Sequence, residues 1–369
     1  MRMGKWALLL LAMPLVTGCG DFWQAPSTTT TTTTTTDTSG YFYVLDKSAQ
    51  EVIAYYVDAG VLTEVGAYAA PDAAANLTVA PNNKFLFVSA AEGVYVYTIT
   101  SGALSTTSTQ VTDDPAVAMA VDTNSSWLIE TSGLGTLYSI PISSSTGQGD
   151  SSRTVKSATL TGSTVRQMVI APSDGYVFLA MDTDGTVGFT FNSSTGSLGG
   201  SAFFAKTPAA GSAYSVAVDP STRLLYIGET DAVSSSGGLF AYTIDSGTLT
   251  EISGGVIASG GTNPHAILPK SDGNTVYVAN YDNASDGNIT GFSVAASGST
   301  YTLTKINTVA TAVEPLALAE DSTEQFVIAL NGGSPYLDIY VFDSTTATTL
   351  DLSLTGTTYP GTALGAQAY

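Results

Sequence analysis

A closed, all-β, seven-bladed propeller of four-stranded antiparallel blades is the fold predicted for residues 41–369. Three observations predict it. From residue 40 onward no window carries a helical apolar period, and short apolar runs bounded by Gly, Asp, Asn and Ser recur instead. The runs repeat at roughly 40–50 residues, the period of a four-stranded blade. Six complete copies follow one incomplete copy, and a lone strand at the end of the chain matches the strand that the first copy lacks.

The opening copy supplies a second strand (42–46), a third (52–58) and a fourth (62–68). The first strands of the later copies are predicted at 77–81, 117–122, 167–172, 215–220, 265–269 and 316–321. Second strands follow a polar turn at 85–90, 127–132, 176–181, 224–229, 275–280 and 326–330, and third strands at 93–99, 136–142, 186–191, 238–244, 288–294 and 337–343. The first two strands read as continuously apolar, as expected when both faces are covered. The third alternates Tyr, Phe and Val with Thr and Ser, which predicts one wetter face. The surplus strand at 363–369 is expected to complete blade I and close the ring, since an open blade would leave an unpaired edge.

Ahead of this array, Arg2 and Lys5 form a positive region before an apolar stretch at 6–16 that is too short to span a bilayer. Val16-Thr17-Gly18-Cys19 follows and resembles the lipobox of bacterial lipoproteins. That resemblance implies a leader at 1–18 cut before a diacylated Cys19, and a cell-envelope location on an exported, membrane-anchored protein. The run of nine threonines inside 19–40 cannot join a core and is expected to act as a tether. With a single cysteine, no intramolecular disulfide forms. The net charge of −20 argues against nucleic acid and against binding of a protein face to anionic lipid. A monomer is expected.

The PSDG and KSDG turns (172–175, 270–273), the YVAN strand end (277–280), the DSGTL and SSTGSL openings (245–249, 193–198) and Asn263-Pro264-His265 carry a resemblance across residues 40–369. The chain resembles the lactonase-type seven-bladed propellers, which include 6-phosphogluconolactonase-like proteins and fungal carboxymuconate cyclases. The resemblance implies a propeller fold and a possible lactone hydrolase. It also implies a Pro-His-His entry and a following glutamate, and this chain has Ala266 and Tyr281 at those positions.

In a propeller, first-strand starts and second-strand ends meet at one mouth of the axial channel. The first set reads Asn76, Arg166, Tyr214, His265 and Glu314, and the second Asp46, Asp182, Glu229, Asn280 and Asn331. This ring is far more charged than the rest of the chain. Lactone opening would use His265, the only histidine, as general base, Glu229 as its orienting or acid partner and Arg166 as an anchor for a carboxylate or oxyanion. Asp182, Tyr214, Asn280, Glu314 and Asn331 are the expected ligand-binding residues. The Asp-rich loops at 182–185 and 282–288 fit calcium or a hairpin turn, and turn chemistry is the simpler reading, so no cofactor is expected. Two classes stay open: a hydrolase of cyclic esters, and a non-catalytic propeller binding a small-molecule, protein or glycan ligand.

Overall fold

Each repeat folds into one antiparallel sheet, and the seven sheets stand as blades I to VII. The computed structural model describes residues 40–58, 61–133, 135–160, 164–205, 211–234, 236–246, 248–281, 286–321, 324, 326–333, 336–342, 350–357 and 363–368. The expected leader, Cys19, the threonine tether and most of the loop at 282–288 lie outside them.

The innermost strands of blades I to VII are Ala363–Ala368, Asn76–Val79, Ala116–Val121, Gln167–Ile170, Ala213–Val218, Asn263–Pro269 and Pro315–Glu320. The strand at the chain end does close blade I. It lies antiparallel to Gly40–Asp46, with Phe42 opposite Ala368 and Val44 opposite Ala366. It also packs against the inner strands of blades II and VII, so the inner strands form an unbroken ring.

Burial is deepest one strand out from the channel. Phe85–Ala90, Trp127–Ser132 and Phe326–Asn331 are buried at every residue, because each is covered by paired strands on both edges and by neighbouring blades on both faces. The inner strands are more open than their composition predicts. Gln167–Ile170 and Pro315–Glu320 are mostly half-buried, since their free edges line the channel. The third strands show a gradient rather than an alternation. Gly93–Thr100 and Thr186–Asn192 are buried where they begin and exposed where they reach the rim. In blades II and V the outermost position is split into two short segments that pair with the same third strand.

Blades II to VII share one turn between first and second strands. The residue after the inner strand accepts from the residue three further on, as in Asn83 to Ala80 (2.9 Å), Asp174 to Ala171 (2.8 Å) and Gly273 to Lys270 (2.8 Å). That third residue has a φ between 52° and 67° in all six blades, a left-handed conformation that Gly, Asn and Asp adopt at low cost. The PSDG and KSDG sequences are therefore turn chemistry. In blades III, V and VII the turn opens with an aspartate whose carboxylate caps the second strand. Asp122 Oδ1 accepts from Ser126 N (2.6 Å) and Trp127 N (2.7 Å), and Asp321 Oδ1 from Phe326 N (2.7 Å). Neighbouring turns also clasp one another, as in Thr123 N to Asp174 Oδ1 (3.0 Å) and Arg223 Nη2 to Gly273 O (2.9 Å).

Candidate functional site

At the other end of the inner strands the register slips. In blade V, Ala213 pairs with Glu229 and Ser215 with Gly228, which leaves Tyr214 as an extra residue. In blade VI, Pro264 pairs with Asn280 and Ala266 with Ala279, leaving His265. Blades III and VII slip at the same place and leave Val117 and Leu316. A bulge of this kind turns one side chain out of the ladder. Arg166, whose N–H donates to Ala180 O (2.8 Å), holds the corresponding place in blade IV.

Side chains from three successive blades then stack. The Arg166 guanidinium lies over the Tyr214 ring, 4.6 Å from its centroid. Tyr214 stacks on His265 at 4.7 Å and 21°, and His265 stacks on Tyr281 at 4.6 Å and 18°. Tyr281 ends the second strand of blade VI, and desolvation, then the nearby Glu314 carboxylate, push its phenol up. Ser215 Oγ donates to Pro264 O (2.6 Å), the carbonyl just before His265, and so holds the bulge in place.

The polar groups of this column differ in how far the protein claims them. Arg166 donates through Nε (3.0 Å) and Nη2 to Asp182 Oδ2. Desolvation pushes the Asp182 carboxyl up, but hydrogen bonds from Ser212 and Arg166 outweigh it and hold it below the usual carboxylate range. His265, by contrast, stacks by its two ring faces on Tyr214 and Tyr281. Among the described residues neither ring nitrogen has a hydrogen-bond partner, and neither does the Tyr214 hydroxyl. Burial, and secondarily the Arg166 charge, pushes the imidazole down to about 4, so it is neutral at physiological pH.

Glu229 stands apart from the column. Alternation along its strand turns Gly228 toward blade VI, where a Cβ would meet Ser215 Oγ and Pro264 O, and turns Glu229 toward blade IV, beside the cluster holding Leu225, Ile227 and Ala180. The structure thus brings His265 and Arg166 onto one tyrosine ring and does not bring Glu229 to His265. Glu229 is 1% exposed, its Oε2 has no partner, and desolvation raises its carboxyl to about 8. Asn280 and Asn331 occupy equivalent places and are tied into the blades. Asn280 donates to Ser259 O (2.9 Å) and Asn288 Oδ1 (3.0 Å), and Asn331 to Asp338 Oδ2 (3.0 Å). Asp46 is spent on its own turn, accepting from Ser48 N (2.8 Å) and Ala49 N (3.0 Å). The 182–185 loop is a tight hairpin, Gly185 N donating to Asp182 O (3.1 Å), and the described residues contain no group of three or more metal-ligating side chains.

Two positions move relative to the sequence-based ring. Glu314 lies just before the inner strand of blade VII, where Leu316 occupies the bulge. Asn76 is already paired with Ser89 inside its strand, and Ala75 precedes it. Tyr281 joins the column although sequence reasoning singled it out only as a departure from an acidic position. Its aromatic character beside the lone histidine was the available signal.

A family model described as "Lactonase, 7-bladed beta-propeller" matches residues 29–361. Among solved structures, a candidate 6-phosphogluconolactonase of Bacteroides uniformis is 15% identical, with a TM-score of 0.73 over 90% of this chain and 99% of its own. A periplasmic gluconolactonase of Pseudomonas aeruginosa is 17% identical, with a TM-score of 0.68 over 89% and 99%. A Lactobacillus plantarum protein is 19% identical, with a TM-score of 0.71 over 90% and 99%. At these identities the likeness is one of fold. No curated protein matches the chain.

Proposed function

The chain belongs to the lactonase family of seven-bladed β-propellers, and on that footing we propose that it binds a small, uncharged cyclic ester at the channel mouth. The observation that carries this reading is His265, clamped by face between two tyrosines with both ring nitrogens unclaimed among the described residues. A neutral imidazole offers one donor and one acceptor, which suits the carbonyl and hydroxyl oxygens of such a ligand. Arg166 is already paired with Asp182, so the mouth is better matched to an uncharged ring than to a phosphorylated one.

Hydrolysis of the bound ester is the second reading, and the two unclaimed ring nitrogens of His265 favour it. An imidazole unprotonated above about pH 4 accepts a proton from the attacking water and can return it to the leaving alkoxide when the ring C–O bond breaks. Titration calorimetry and proton-release assays with a lactone panel test both readings. His265→Ala is expected to abolish binding and to lower any turnover by about 10²-fold or more. Unchanged binding and turnover in this variant would remove His265 from the site.

The same reading takes the protein as an exported lipoprotein, supported by the charge and apolar pattern of residues 1–18 and by Cys19 at their end. Cys19→Ser is expected to move the protein from the membrane to the soluble fraction. Retention at the membrane would refute lipid anchoring through Cys19.

A further inference from the structure

The mouth has two unlike arcs. Blades IV, V and VI place Arg166, Tyr214 and His265 at the out-turned position, each with a polar edge. Blades VII, II and III place aliphatic residues there. Leu316 is the extra residue in blade VII and Val117 in blade III, and Ala75 directly precedes the paired residue Asn76 in blade II. Val117 is 46% exposed, which is unusual for a valine in a strand whose other apolar residues are packed. Ala75 is exposed and Leu316 half-buried. Apolar and polar residues sharing one end of the ring of inner strands are the pattern of a site for an amphipathic ligand.

We propose that the ligand is a cyclic ester carrying a hydrocarbon substituent, with its ester group on the Tyr214–His265 edge and its chain along Ala75, Val117 and Leu316. This rests on the reading of the mouth as a cyclic-ester site and narrows it. The Val117 and Leu316 side chains offer the hydroxyls of a polyhydroxylated sugar lactone no partner, and the amide nearest them, Asn76, already donates to Val117 O (3.4 Å), which disfavours such a ligand there. The chain-bearing lactone instead removes apolar surface from water on both sides.

The test compares δ-valerolactone, δ-decalactone and gluconolactone by calorimetry on the full-length protein, the variant Val117→Ser and the variant Val117→Leu. δ-Decalactone is expected to bind at least about tenfold more tightly than δ-valerolactone, whose ring is the same. Val117→Ser should shrink that ratio by about threefold or more and Val117→Leu should enlarge it. Position 117 is exposed, so both variants keep the fold, which circular dichroism and the melting temperature verify. Equal affinity for the two δ-lactones, a ratio that neither variant moves, or binding of gluconolactone alone would overturn the substituent proposal and leave the cyclic-ester site standing. Binding of none of the three would overturn both.

Discussion

His265 and Glu229 show how environment assigns opposite roles to titratable residues a few strands apart. Both are desolvated, but the imidazole loses its proton and the carboxyl keeps it. Glu130 is a second buried carboxyl, 2% exposed, raised to about 8 by desolvation and further by the Asp114 charge, against the Thr112 hydrogen bond that lowers it. The consequence for stability has a definite sign. Between about pH 4.5 and 8 these groups stay protonated in the folded chain and ionise in the unfolded one, so stability falls as pH rises through that window. The phenol of Tyr242, itself pushed up by desolvation and by the Glu251 and Glu229 charges, is the titratable neighbour of Glu229. Glu229→Gln is expected to stabilise the protein at pH 7 by up to about 3 kcal/mol and to make no difference near pH 4.5. Urea denaturation at several pH values measures this, and a difference independent of pH would show that Glu229 is ionised in the folded chain.

Two small devices, repeated from blade to blade, organise the elements. At one end, the shared turn fixes the start of each second strand. Asp122 illustrates it: the carboxylate is fully buried and accepts two backbone N–H groups of the strand it precedes. Asp122→Ala leaves both donors buried without partners and is expected to cost about 2–4 kcal/mol. Asp122→Asn keeps an acceptor and should recover more than half of that, as read from chemical denaturation. Equal losses in the two variants would mean that the cap contributes through charge rather than through acceptance. At the other end, the bulge converts a ladder residue into a mouth residue. Because it recurs at one register position in blades III, V, VI and VII, distant segments contribute to a common opening, and their side chains distinguish the arcs.

Closure is the property of the whole molecule that everything else depends on. The strand Ala363–Ala368 supplies the inner edge of blade I and packs between the inner strands of blades VII and II. A chain ending at residue 357 would lack it, leaving Gly40–Asp46 with an unpaired inner edge. That truncation is expected to abolish the cooperative thermal transition and to promote association, read by calorimetry and light scattering. A single transition at the parental temperature would show that the ring does not need its closing strand.

Much of this architecture was legible in the order of residues. The second strands at 85–90 and 127–132 fall where expected, because a strand buried on both faces needs an unbroken apolar run and little else produces one. The missing first strand and the surplus last strand implied ring closure by count. The make-up of the mouth was legible only in part. Arg166, Tyr214 and His265 could be named as neighbours from the repeat alone. Which residue stands at the rim, Leu316 rather than Glu314 at a register slip and Ala75 rather than the paired Asn76, depends on backbone hydrogen bonds that leave no period in the sequence. Likewise, alternation along a twisted strand decided that Gly228 faces blade VI and Glu229 faces blade IV. Composition and repeat determined the seven blades and their closure, because burial on two faces constrains whole runs of residues. The direction of single side chains at the rim was decided only in three dimensions, because there one hydrogen-bond slip redirects a residue without changing its neighbours.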